Sequence, residues 1–288
     1  MVRALDSAHR LPQTLAVLPV EQYPNDTLIQ ERVDSWYEPL DGDSIEMFAY
    51  RGGLYYHPVK TAQRCLEFLA AFRATKDQRY VDRGKRCVQR LLIEADRVGD
   101  AIFFPYRFDF AIHQDSANML RAPWYSGMAQ GEILRTLVRL YKVTGETKYL
   151  AYADSTFRAF FSLRGQSNPW VSRIDAIGYY WIEEYPHDDR PGMTLNGFIY
   201  AVYGVYNYYC VTEDPDAKLV WDLSLTTLKH YLPSYRRDGQ TSYYCLGHMD
   251  PATETYHALH TQMMGYLEQM NGDTLFTRMK EAFEGDVR

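Results

Sequence analysis

Apolar residues recur at helical spacing through most of the chain. Ala62, Cys65, Leu66, Leu69 and Phe72 share one face of a 3.6-residue period, as do Leu134, Leu137, Val138 and Tyr141. The pattern predicts helices over about 60–74, 77–95, 125–143, 146–162, 194–211, 216–231, 255–270 and 273–284. Four chemically similar turns punctuate it: Thr75-Lys76-Asp77, Thr144-Gly145-Glu146, Thr212-Glu213-Asp214 and Asn271-Gly272-Asp273, with starts 69, 68 and 59 residues apart. Each carries an acid suited to the positive end of the following helix, and a Thr or Asn able to end one helix or cap the next. Four turns imply four αα-hairpins, and antiparallel pairs at such a period stack into a curved array. The expected class is all-α: an α/α toroid, an incomplete barrel of about four αα-hairpins.

Turn-forming residues cluster before residue 58, at Pro24, Pro39, Asp41-Gly42-Asp43, Gly52-Gly53 and Pro58. Residues 1–58 are therefore expected to form an irregular N-terminal arm packing on the barrel, with 59–288 as the toroid. The long connections 99–123, 163–193 and 232–254 all fall between hairpins and should open on one rim. Ala101–Phe108 and Ala176–Trp181 predict short β-strands there.

Composition narrows the function. With 46% hydrophobic and 24% charged residues, the 288-residue chain is that of a folded globular protein. A formal charge of −6 argues against nucleic acid as a partner, and no apolar run reaches the roughly 18 residues of a membrane span. Cys65, Cys87, Cys210 and Cys245 show no CxxC spacing, so neither a metal site nor a disulfide framework is expected. Leu15–Val20 is too short and too poorly flanked for a signal peptide, which gives a cytoplasmic location, or a secreted one if a leader precedes this chain. Neither a phosphate loop nor a dinucleotide fingerprint occurs, so no cofactor is expected. The 25 tyrosines suit a wet, carbohydrate-sized cleft or a protein interface.

Candidate chemistry concentrates in a few segments. In Tyr179-Tyr-Trp181-Ile-Glu183-Glu184-Tyr185-Pro186 two adjacent carboxylates in extended backbone point to opposite sides, so one can enter a cleft as acid or base while the other meets solvent. A loop with two solvated acids is the alternative. In Glu254-Thr-Tyr256-His257-Ala-Leu-His260, the two histidines are three apart and share a helix face. They read as a metal pair, a core pair, or neighbours that tune Tyr256. Thr241-Ser-Tyr243-Tyr244-Cys-Leu-Gly-His248 offers two phenols and an imidazole. Arg121-Ala-Pro-Trp-Tyr125-Ser126 leads into a helix that could face an anion, with Ser126 as its alternative cap, and Asn196 could cap or bind.

Taken in order, Gly53-Leu-Tyr55-Tyr-His57-Pro58 with Gln63, Trp124-Tyr-Ser-Gly-Met-Ala-Gln130-Gly131, Trp181-Ile-Glu-Glu184-Tyr185-Pro186, Leu195-Asn-Gly197-Phe198 and Tyr256-His257-x-x-His260 resemble the C-terminal domain of the D-glucuronyl C5-epimerase family over about residues 53–270. Members of that family invert C5 of glucuronate residues in heparan-type polysaccharides on an α/α barrel, without a redox cofactor. The resemblance implies that Glu184 flanks C5 on one face and Tyr256 on the other, with Tyr185 and Asn196 among the substrate contacts. Tyr243 is similar to the tyrosine of a family Thr-x-Tyr-Asp-Leu-Arg-His motif, matched here through a one-residue insertion and without the arginine. Proton removal at C5 places charge on the C6 carboxylate as an enediolate, so Arg107, Arg121, Arg173 or His248 is expected to replace that arginine. The candidate catalytic residues are thus Glu184, Tyr256 and Tyr243. The candidate substrate-binding residues are Tyr185, Asn196, Tyr125, Arg121, His248, His257 and His260, with no metal ligand. The expected partner is a uronate-containing saccharide, with a homodimer allowed. A uronate lyase and a non-catalytic saccharide-binding toroid are the alternatives.

Overall fold

A threonine, or asparagine in the fourth, then a residue in the left-handed region and an acid make the four hairpin turns. Lys76, Gly145, Glu213 and Gly272 take positive φ at the C-caps of four helices. Thr75, Thr144 and Thr212 bond back to the carbonyl four residues earlier and accept the amide two residues on. Asp77, Asp214 and Asp273 then cap the next helix through their carboxylates, one position before the first helical turn where an acid was expected. Glu146 makes no such cap and instead binds Lys85 and Lys148.

The computed structural model describes residues 5–23 and 38–287. Its eight α-helices are α1 (Pro58–Thr75), α2 (Gln78–Glu94), α3 (Gly127–Thr144), α4 (Thr147–Arg158), α5 (Leu195–Thr212), α6 (Pro215–Tyr231), α7 (Glu254–Asn271) and α8 (Thr274–Asp286). They form four hairpins, α1/α2, α3/α4, α5/α6 and α7/α8, and α3 packs on both α1 and α5 while α5 packs on α7. This is an incomplete α/α toroid with α1, α3, α5 and α7 as its inner wall. Burial separates the layers: α5 is buried almost all round from Leu195 to Tyr208, whereas α2 buries only the stripe Val81, Gly84, Cys87, Val88 and Leu91. The inner helices α3 and α5 touch backbone to backbone at Gly131, Ala201 and Gly204. A Cβ at either glycine would come closer than 3.0 Å to main-chain atoms of the other helix.

Helix boundaries shift from the periodicity by two residues at the start of α1, the start of α3 and the end of α8, and by four at the end of α4. Helix α3 starts at Gly127 because the Ser126 hydroxyl accepts the amide of Ala129, and α4 tightens at Ala159 into a 3-10 turn through Phe161.

Twelve short strands decorate the connections: β1 (Phe48–Tyr50), β2 (Gly53–Tyr55), β3 (Asp96–Val98), β4 (Ala101–Phe103), β5 (Pro105–Tyr106), β6 (Phe110–Ala111), β7 (Met119–Leu120), β8 (Trp124–Tyr125), β9 (Ser172–Ile174), β10 (Tyr180–Ile182), β11 (Tyr243–Cys245) and β12 (Asp250–Pro251). All are antiparallel pairs, β1/β2, β3/β4, β5/β8, β6/β7, β9/β10 and β11/β12. The strand expected from Ala176 begins only at Tyr180, because Asp175 gathers the amides of Ile177 and Tyr179 into a turn.

Of the arm, Pro24 and the rest of 24–37 lie outside the described residues. The part before them runs along α6 from the 163–193 connection, where His9 N donates to Gly178 O, past Thr226 and Asp222 to the opposite end of the barrel. There Ala16 pairs with Met270, Thr14 O accepts from Trp221 and Asn271, and Ala16 O accepts from Tyr206.

Candidate functional site

Each inner helix begins at the rim and presents its first turns to one cavity. Val59 and Gln63 come from α1, Met128 from α3, Asn196 and Tyr200 from α5, and Tyr256 and Leu259 from α7. With Glu184 and Tyr185 they line a space of about 340 Å³. Its opposite wall is a separate aromatic cluster. Tyr106 stacks on Trp124 at 3.9 Å, Phe110 on Tyr185 at 5.6 Å, and Phe48 leans on Phe108. A second cavity of about 690 Å³ shares Phe110, Tyr185 and Tyr256 and adds Tyr50, Arg51, His113, Tyr244 and Asp250.

Glu184 follows β10 and is buried at 7% exposure. Burial pushes its carboxyl up to about 7, although hydrogen bonds from the Tyr185 and Tyr244 phenols pull the other way. Among the described residues its Oε2 has no partner, and neither has the buried Oδ1 of Asn196. Helix α5 comes this close because residue 197 is glycine: a Cβ there would sit 2.5 Å from the Cβ of Glu184 and 2.6 Å from its Cδ. Tyr256, half exposed, stands where the two cavities meet. Burial and the charge of Glu184 both raise its phenol above the ordinary tyrosine value. Its ring meets Tyr244 edge-on at 4.9 Å.

The neighbouring carboxylate does not meet solvent. Glu183 is 0% exposed, accepts Arg173 Nε at 2.7 Å on one oxygen and the amide of Met193 at 2.9 Å on the other. That pair spends Arg173 on the fold.

Glu184, Tyr185, Asn196 and Tyr256 are brought together; the remaining candidates are not. Tyr243 lies outside both cavities with Arg237 over its ring, and Tyr244 takes the place beside Glu184. The strand is bulged between Tyr243 and Cys245, and a bulge exchanges which side chain faces the site. Tyr125 donates to Asp96 at 2.8 Å, on the far side of its strand. Arg121 is an exposed side chain paired to Asp109 at 2.5 Å, and Arg107 pairs with Glu94 and Asp96. None of Arg107, Arg121 or Arg173 therefore lines the cavity. His257 accepts the amide of Ser242 and bonds Phe283 O through its other nitrogen, while His260 meets the Ser242 hydroxyl at 2.9 Å. Both are core residues, and burial drives His260 down to about 3, so it stays neutral. His248 sits instead with Cys245 and His113 beside the larger cavity.

Sequence patterns underweighted Tyr244, Tyr200 and Gln63. The available signal was positional: Val59/Gln63 and Asn196/Tyr200 are i, i+4 pairs in the first two turns of inner helices.

Comparison with known proteins agrees with this architecture. An uncharacterized protein of Methanocaldococcus jannaschii is 29% identical over 210 residues, covering 70% of this chain and 66% of its own length. The D-glucuronyl C5-epimerase of Caenorhabditis elegans is 27% identical over 181 residues, covering 56% of this chain but only 28% of that protein. The chain thus spans under two thirds of one of these relatives and about a quarter of the other. The structure of cellobiose 2-epimerase from Bacillus thermoamylovorans shares the fold at a TM-score of 0.56 and 13% identity, over 93% of this chain and 71% of that one. Residues 98–285 match the family described as D-glucuronyl C5-epimerase C-terminus, and since this is more than half of its length, the chain belongs to that family.

Proposed function

We propose that this protein is a carbohydrate epimerase of the α/α-toroid type that inverts C5 of uronate residues in a saccharide, as in exchange of D-glucuronate and L-iduronate. The observation that carries this is a buried carboxyl at position 184 that has an oxygen without a partner among the described residues, shares a cavity with the Tyr256 phenol, and is pushed by burial up to about 7. As carboxylate, Glu184 takes the C5 proton. The electron pair left on C5 delocalises onto the C6 carboxylate, and Tyr256 O–H delivers a proton to the opposite face of C5. Glu184 is left protonated and Tyr256 a phenolate, and one proton exchanged through solvent resets them. The reverse reaction swaps the two roles.

Tyr256 acts as a neutral acid, because burial and Glu184 both disfavour its phenolate and the buried His260 gives no cationic help. This replaces a phenol tuned towards neutrality by protonated histidines. The Asn196 amide is one donor for the developing enediolate, and the Tyr185 and Tyr244 hydroxyls, which hold the Glu184 carboxylate, become available as it takes the proton.

The test is incubation of candidate uronans in deuterated water with NMR readout at C5. Deuterium should enter C5 without change in chain length, and neither Glu184→Gln nor Tyr256→Phe should introduce it. Unlabelled C5 in every uronan with folded protein refutes the proposal, and an unsaturated uronate absorbance would make the enzyme a lyase.

A further inference from the structure

Three side chains with no part in the proton transfer above converge beside the larger cavity. Cys245 at the end of β11, His248 three residues later and His113 from the β6–β7 connection bring one ligand atom each within 4.8 Å of the others. The Cys245 sulfur lies 3.2 Å from His113 Nε2 and 3.5 Å from His248 Nδ1. A tetrahedral zinc ion, with bonds of about 2.3 Å to sulfur and about 2.05 Å to nitrogen, holds those atoms about 3.6 Å apart.

The arrangement of contacts suits a cation. His113 Nδ1 lies 2.8 Å from Asp250 Oδ2, which orients the ring with its other nitrogen, Nε2, facing the sulfur. A thiol has one proton for two facing imidazole nitrogens. Among the described residues, His248 Nε2 is buried with no hydrogen-bond partner. Cys245 is fully buried and the three residues come from two separate connections, which fixes the cluster in the fold. His113 and the following Gln114 both take positive φ, a costly conformation for side-chain-bearing residues.

We propose that Cys245, His113 and His248 bind one zinc ion, with Asp250 orienting His113. Binding releases the Cys245 thiol proton to solvent and forms one Zn–S and two Zn–N bonds. Three protein ligands leave one position of the tetrahedron for an anion or water. His113 and Asp250 line the cavity that also holds Tyr185, Tyr244 and Tyr256. The family motif's arginine is replaced here by Gly247, between Cys245 and His248. On the uronate reading proposed above, the ion adds positive charge for a substrate carboxylate in a cavity that Arg51 also lines.

The full-length protein, freed of metal with a chelator, is titrated with zinc and separately with cobalt(II). One equivalent should bind per chain, and the cobalt form should show an intense near-ultraviolet thiolate charge-transfer band. Cys245→Ser should abolish that band, and Asp250→Asn should weaken zinc binding about 10- to 100-fold. Folded protein that takes up no stoichiometric zinc with Cys245 reduced overturns the proposal, as does an unchanged affinity in both variants. These readouts do not depend on turnover. Zinc bound with no C5 exchange in any uronan would leave the site standing and refute the uronate reading alone.

Discussion

Replacing Glu184 with Gln should remove activity and stabilise the fold together, because the same burial causes both. A carboxyl raised from its ordinary 4.5 to about 7 holds its proton more tightly in the folded chain by about 3 kcal/mol, at roughly 1.4 kcal/mol per pH unit. The sign follows from proton counts. Between about pH 4.5 and 7 the folded state binds more protons than the unfolded one, so wild-type stability falls as pH rises through that window. Above it the full cost of an ionised buried carboxylate is present. Glutamine keeps the shape and still accepts from Tyr185 and Tyr244, yet has no charge to bury. Urea denaturation at pH 5, 6, 7 and 8 should therefore show the variant gaining on wild type by up to about 3 kcal/mol at pH 8 and by little at pH 5. C5 exchange should meanwhile drop at least about 100-fold, the lower bound for losing a general base. Stability profiles that run parallel from pH 5 to 8 would mean that Glu184 titrates as an ordinary solvated carboxyl, and the buried base would have to be abandoned.

Three further perturbations probe the frame around it. Gly197→Ala places a methyl within 2.6 Å of the Glu184 carboxyl carbon; exchange should fall about as far as in Glu184→Gln, with circular dichroism unchanged, since a misplaced base costs on the order of 100-fold. Gly204→Ala sets a Cβ against the Gly131 main chain, where neither backbone can yield, so thermal denaturation should show a loss of about 3 kcal/mol, at the upper end of overpacking. Arg173→Met leaves Glu183 buried without its ion partner and should destabilise by about 3–5 kcal/mol, with much of the loss recovered when Glu183→Gln is added; no recovery in the double variant would mean that Arg173 acts through packing on Trp181.

The hairpins were legible because their turns are written locally: a threonine that bonds back, a left-handed residue and a capping acid need no tertiary partner to be recognised. Glu184, Tyr185, Asn196 and Tyr256 could be placed because they sit at helix starts or in an extended run whose direction is set by simple alternation. The errors arose where alternation breaks. A single bulge in β11 puts Tyr244 where Tyr243 was expected, and a one-residue slip always swaps faces. His257 and His260 look like chemistry in sequence, but Ser242, from a connection packed on α7, engages Nδ1 of both and holds them in the core. His113 could not be linked to Cys245 across 132 residues by any local pattern.

The parallel course of α1, α3, α5 and α7 also has an electrical outcome. Each starts at the same mouth, and each first turn carries about half a positive charge from its aligned peptides. Together the four amount to roughly two elementary charges focused on one opening, in a chain whose formal charge is −6. An anionic sugar polymer would meet, on a chain of net negative charge, a positive pole at the place where catalysis is proposed, an attraction that dissolved salt should weaken.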